Sequence, residues 1–242
     1  MARRIRILAG VLMTCAFSSA VALGQDEVAK IEQEIIKNWQ KHRSMIAKVT
    51  MTGDRTARGQ KVTSRAEGTY EWLRKSDAAL VRLDVRRTLE VESGDQKKER
   101  SSHDLTVFDG QYMYTYTEQA GTKEAVKAKL DPKLGADVRA LFEALHEQDN
   151  LSLLPAERVA DKDAHVIQAM PKKPRPDGLV YRYYFSKADG ALLKMALCDR
   201  DGNAVETTTF TDIKFDLGAD PGRFVFQAPP GVKVVDLTQQ AP

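Results

Sequence analysis

The sequence predicts a mainly β, α+β domain: a single strongly curved antiparallel sheet with helices lying across its concave face. Three observations predict it. Apolar and polar residues alternate with period two over several stretches, most clearly over 80–91, where Val81, Leu83, Val85, Leu89 and Val91 oppose Arg82, Asp84, Arg86 and Glu90. Asp-Gly pairs at Asp109-Gly110, Asp189-Gly190 and Asp201-Gly202 stand between such stretches, as tight antiparallel hairpins require. Only two segments carry helical periodicity, too few to cover both faces of a sheet.

Residues 1–24 read as a cleaved secretory signal. Arg3, Arg4 and Arg6 precede a mostly apolar, small-residue run that is short for a membrane span, and cleavage is expected after Ala22-Leu23-Gly24. Lipid attachment at Cys15 is disfavoured by the bulk of Thr14 before it. The chain has 37 basic residues, three of them in this segment, so 34 remain to face 34 acidic ones. The mature chain is therefore formally neutral, and its charge gives no reason to expect nucleic acid or an anionic membrane as partner. Cys198 is the sole cysteine after cleavage, so no internal disulfide forms and an apolar core must hold an exported fold. The span 25–242 is long enough for one such domain, and no later apolar run reaches spanning length.

In chain order, Val28, Ile31, Ile35, Ile36 and Trp39 form the apolar stripe of a helix over about 26–42. Strand patterns follow at 45–54, 62–74 and 80–91, the second placing Tyr70, Trp72 and Arg74 on one face. The charged stretch 93–102 reads as a hairpin loop. Leu105 to Phe108 leads into Asp109-Gly110, after which Tyr112, Tyr114 and Tyr116 share a face. Asp131-Pro132 marks the start of a second helix, with Val138, Leu141, Phe142 and Leu145 as its stripe. Beyond Pro155, strands are expected at 159–170, 179–186, 191–198 and 204–216. The closing Phe224-Val225-Phe226 is a strand broken by Pro229-Pro230, which lack backbone donors, and Val232 and Val234 begin the last sheet edge. Its two phenylalanines either face the helices over a cavity or pack beneath them.

No catalytic or metal chemistry emerges. His42, His103, His146 and His165 have no ligand spacing, and HExxH, CxxC and glycine-rich phosphate motifs are missing from the sequence. The glycine in Asp199-Arg200-Asp201-Gly202-Asn203 comes too early for a calcium loop, so this is a hairpin turn. The reading is a protein that is not an enzyme and needs no cofactor. What remains is apolar: Tyr70, Trp72, Val81, Leu83, Val85, Tyr112, Tyr114, Leu141, Phe142, Leu145, Tyr183, Phe185 and Met195 line a cavity or fill a core, and alternation does not distinguish the two. Arg74, on the face of Tyr70 and Trp72, needs partners if buried there.

Four stretches resemble the LolA-like family of periplasmic outer-membrane lipoprotein carriers: Gly68-Thr69-Tyr70-Glu71-Trp72-Leu73-Arg74; Val107-Phe108-Asp109-Gly110-Gln111-Tyr112-Met113-Tyr114-Thr115-Tyr116 with Gln119; the hairpins from Tyr184-Phe185 through Asp189-Gly190 to Thr208, Phe210 and Ile213; and the Phe-x-Phe, Pro-Pro-Gly-Val ending. The resemblance implies an unclosed β-barrel with a helical lid over a cavity for the acyl chains of lipoproteins, and makes the apolar residues named above its ligand-binding set. It implies a periplasmic monomer that takes acylated lipoproteins from an inner-membrane ABC release complex and passes them to an outer-membrane acceptor. Arg74 matches the arginine that controls the lid, although Lys75 stands where the family has proline. The alternative implied by the same fold is a domain that senses lipid or mislocalised lipoproteins and regulates a partner.

Overall fold

Strand β1 (Ser44–Ala57) pairs on one side with its sequence neighbour β2 (Gln60–Lys75) and on the other with the distant β11 (Ala204–Phe215), and this pairing joins two meanders into one sheet. The computed structural model describes residues 16–57, 59–75, 78–94, 96–130 and 138–238. The first meander continues through β3 (Ala78–Ser93), β4 (Gln96–Phe108), β5 (Tyr112–Gln119) and β6 (Thr122–Lys129). The second runs through β7 (Asp149–Val159), β8 (Lys162–Pro171), β9 (Val180–Ser186) and β10 (Leu192–Cys198). A short β12 (Val234–Asp236) adds to β6, giving the order β12-β6-β5-β4-β3-β2-β1-β11-β10-β9-β8-β7. The end strands β12 and β7 do not meet, so the curved sheet is an unclosed barrel. All pairings are antiparallel except β12 with β6.

The sheet bends where the sequence allows it. A Cβ at Gly68 would lie 1.9 Å from the Asp84 carbonyl oxygen, so only glycine permits β2 to pass this close to β3. Register shifts in β1, β7 and β10 add further twist. At the β4–β5 hairpin, Asp109 Oδ1 accepts from the amides of Gln111 and Tyr112, and Gly110 takes a φ of 96°.

Two helices lie on the concave face: α1 (Ala16–Trp39) and α2 (Val138–Gln148). Ile35 of α1 and Phe142 and Leu145 of α2 pack on Ile167, Ala169, Tyr183 and Phe185 of β8 and β9. Burying each such side chain contributes roughly 1.5–3 kcal/mol. Within 24–39 the buried side chains of α1 begin at Val28; 24–27 are exposed. Residues 1–15 and 131–137, with the expected leader start and the Asp131-Pro132 signal, lie outside the described residues.

Several expectations need correction. The first helix ends at Trp39, not His42, because Asp216 Oδ1 accepts from the Arg43 and Ser44 amides and draws the chain into β1. Residues 96–102 are strand, not loop; their charges survive in a ladder because the strand end is exposed and Lys97 pairs with Glu90 across it at 2.8 Å. The stretch 159–170 is not one strand: β7 and β8 turn at Ala160 and Asp161, both with positive φ. Phe224 belongs to a 3-10 turn (Pro221–Phe224), not a strand, and Phe226 stacks on Tyr114 of β5. The expected last edge is present as β12.

Candidate functional site

Trp39 closes the apolar stripe of α1 and meets Trp72 of β2 with ring centroids 4.6 Å apart. Beside this pair a cavity of about 170 Å³ opens beneath the helices, walled by Trp39, Met45, Tyr70, Trp72, Val138, Leu141, Phe185, Gly190, Leu192 and Phe210. Its composition follows from register: Met45 is opposite Trp72, and Val49 opposite both Gly68 and Phe210, so β1, β2 and β11 send apolar side chains to one face. Burial pushes the Tyr70 phenol up to about 12, so its hydroxyl stays protonated and available as a donor.

The structure brings together part of the anticipated set. Tyr70, Trp72, Leu141 and Phe185 line the cavity. Phe142, Leu145, Tyr183 and Met195 adjoin it in the cluster around α2. Val81, Leu83 and Val85 pair with Trp72, Tyr70 and Gly68, so they share the concave face but lie outside the cavity wall. Tyr112 and Tyr114 do not belong. Val81 pairs with Phe108 and Phe108 with Met113, which puts Met113 on the concave face and its neighbours Tyr112 and Tyr114 on the convex one. There Tyr114 stacks on Phe226 at 5.2 Å, and Lys127 Nζ lies 3.9 Å from the Tyr112 ring centroid. Trp39, Met45 and Phe210 were missed as wall residues. Trp39 was visible as the end of a helical stripe, but nothing local in Met45 or Phe210 says which strands they will meet.

Arg74 sits at the rim. Its Nη1 donates to the Gln40 carbonyl at 3.0 Å, its guanidinium carbon is 5.3 Å from the Trp72 ring centroid, and its backbone amide donates to the Arg43 carbonyl at 2.8 Å. A cation just past the C-terminal end of α1 also suits the helix dipole. Its Nη2 is buried with no hydrogen-bond partner. Three further contacts tie α1 down: Glu32 to His146 of α2 at 2.9 Å, Glu34 to His165 of β8 at 3.7 Å, and Asn38 Nδ2, which donates to the Lys187 carbonyl at 3.2 Å. Among the described residues no cluster of metal-ligating side chains occurs, and no helix is long and apolar enough to cross a membrane.

The sequence matches the family described as MucB/RseB N-terminal domain over residues 102–228. Comparison with curated proteins finds no match. Among solved structures, an uncharacterised conserved protein from Thermus thermophilus superposes with a TM-score of 0.47 at 17% identity, over 84% of this chain and 98% of that one. The Pseudomonas aeruginosa MucA/MucB complex gives 0.41 at 16% identity, over 82% of this chain and 61% of the matched one. Mycobacterium tuberculosis lipoprotein LppX gives 0.37 at 9% identity, over 81% and 98%. The chain thus spans about three-fifths of the matched chain in the MucA/MucB complex.

Proposed function

The chain belongs to the MucB/RseB N-terminal domain family, and on that premise we propose that it is a LolA-like protein of the cell envelope that binds lipoprotein acyl chains beneath α1 and α2 and shields them from water. The observation that carries this reading is the aromatic-walled cavity roofed by two helices and latched at its rim by Arg74. At about 0.8 kcal/mol per buried methylene, an acyl chain of a dozen carbons gains roughly 10 kcal/mol from such a site. The cavity as it stands is close in size to the ~150 Å³ voids that accept a single benzene ring. A full chain therefore enters only when the helices shift, and the bond from Arg74 to Gln40 is the contact such a shift breaks.

In the carrier role the protein receives acylated lipoproteins from an inner-membrane ABC release complex and yields them to an outer-membrane acceptor. A second role uses the same site: acyl occupancy alters binding to a partner protein, which is then regulated. The family match favours this second role, since MucB has been crystallised with MucA(peri). Native mass spectrometry of the protein isolated from its own envelope separates them. Co-purifying acylated protein supports the carrier; free phospholipid supports the regulator; an empty cavity under both preparation and lipid addition sinks both. Arg74→Leu is expected to leave the fold intact and change the rate of cargo release, and wild-type release from that variant removes Arg74 from the lid.

A further inference from the structure

On the convex face, turned away from the cavity, the loop 172–179 and the β10–β11 turn enclose a groove of about 470 Å³. That is within the range of specific ligand sites. Arg182 of β9 and Arg200 of the turn line it, and each is laid against a glycine. A Cβ at Gly202 would come within 2.9 Å of Arg182 Nη2, and one at Gly178 within 2.2 Å of Arg200 Nε. Both glycines have positive φ, 86° and 67°. The two guanidiniums thus lie directly over glycine backbone, where a larger residue would meet them and where positive φ already favours glycine.

Neither arginine forms an ion pair among the described residues. Arg182 makes only long bonds to neutral acceptors, 3.4 Å to Gln168 Oε1 and 3.3 Å to the Gly202 carbonyl. The neighbouring Arg175 is different, held by Asp177 through two bonds of 3.0 and 2.8 Å. Asp199 is engaged within its own turn, its Oδ1 accepting from the Asp201 and Asn203 amides and its Oδ2 from the Asn203 side chain. Asp201 is the other acid at the rim. The remaining walls are apolar, and one of them, Met170, is 50% exposed.

We propose that this groove docks an acidic peptide segment of a partner protein, with an Asp or Glu carboxylate clamped between Arg182 and Arg200 and an adjoining apolar residue covering Met170. A forked guanidinium matches a planar carboxylate. A bare inorganic anion would leave the apolar walls wet, and an acyl chain would leave both guanidiniums without a partner. The site is on the other face of the sheet from the cavity, so this proposal and the acyl-binding reading fail separately.

The test is selection of a phage-displayed random dodecapeptide library on the full-length protein, with affinities of enriched peptides measured by fluorescence anisotropy. Enriched peptides are expected to pair an acid with an apolar neighbour, and to weaken at least tenfold when that acid becomes its amide. The Arg182→Gln/Arg200→Gln double variant is expected to lose at least tenfold, Asp201→Asn to gain several-fold, and Arg74→Leu to bind as wild type. Arg200→Gln alone changes an exposed side chain and serves if the double variant does not fold. No acidic enrichment, or acidic peptides binding these variants as well as wild type, overturns the proposal. So does loss of binding to phosphatidylglycerol vesicles in the variants without any effect on peptides, which would assign the groove to lipid headgroups.

Discussion

At Gly190 the β9–β10 turn runs against α1 so closely that an added Cβ would lie 2.4 Å from the Ile35 carbonyl oxygen and 2.9 Å from the Trp39 amide. Gly190→Ala must push the helix off the sheet as well as strain a φ of 72°, and is expected to cost about 3 kcal/mol. Gly121, at φ 83° in open space, isolates the strain alone, and Gly121→Ala is expected to cost only about 1 kcal/mol. Urea denaturation of the two variants decides it; equal losses would mean that α1 is not held at Gly190. His165 makes the same helix contact sensitive to pH. Burial outweighs Glu34 and Lys187 also opposes the charge, so its pKa is lowered from 6.5, with Nε2 left unpaired. A depressed histidine pKa means that stability is complete above the unfolded value and is lost as pH falls below about 6.5 toward the folded value. The melting temperature should therefore fall between pH 7.5 and 5, and fall less in His165→Gln. An equal decline in the variant would place the acid sensitivity elsewhere.

Between β11 and β12 the chain crosses the convex face as a strap. The buried Glu71 carboxylate of β2 accepts from Arg223 Nε at 2.7 Å, Phe224 is buried, and the strap ends by pairing β12 to β6. Because Glu71 is buried and Arg223 is half exposed, removing the arginine strands a desolvated carboxylate, and Arg223→Met is expected to cost about 2–3 kcal/mol. Glu71→Gln in the same background should recover part of the loss, by double-mutant cycle. This strap also marks the limit of what the sequence discloses. Period-two alternation and Asp-Gly turns revealed most strands and the curved architecture, because those signals are local. The turns at Ala120-Gly121 and Ala160-Asp161 carry no strong hairpin pair, so nothing local marks β6 and β7. Which face a strand presents depends on register with partners far away in sequence. Alternation alone therefore groups Tyr112 and Tyr114 with Trp72, although one residue of parity puts both on the convex face, where Tyr114 stacks on Phe226 of the strap.

At the scale of the whole molecule the question is size: beside Trp39 and Trp72 the twelve-stranded sheet and its helices leave a cavity of about 170 Å³. The two meanders are joined through β1 and β11 along hydrogen-bonded ladders, whereas α1 is held on them by side-chain packing and a few polar contacts, among them Arg74 to Gln40, Glu32 to His146, Asn38 to the Lys187 carbonyl and Glu34 to His165. Side-chain contacts, apolar and polar, open more readily than a continuous ladder, so capacity comes from helix displacement rather than from sheet expansion. Small and long apolar probes should then bind by different kinetics. Benzene fits the cavity as it stands, and its observed rate should rise linearly with concentration. Palmitate has to await an open state, so its rate should reach a plateau set by opening. Arg74→Leu removes a charged hydrogen bond worth about 1.5 kcal/mol, and should raise that plateau about tenfold while leaving benzene unchanged. Hydrogen exchange supplies the structural readout, with α1 amides losing protection on palmitate binding while β1 and β2 keep theirs. A palmitate rate that stays linear and ignores Arg74→Leu would show that the cavity enlarges without moving α1, and would shift the search for the lid to α2.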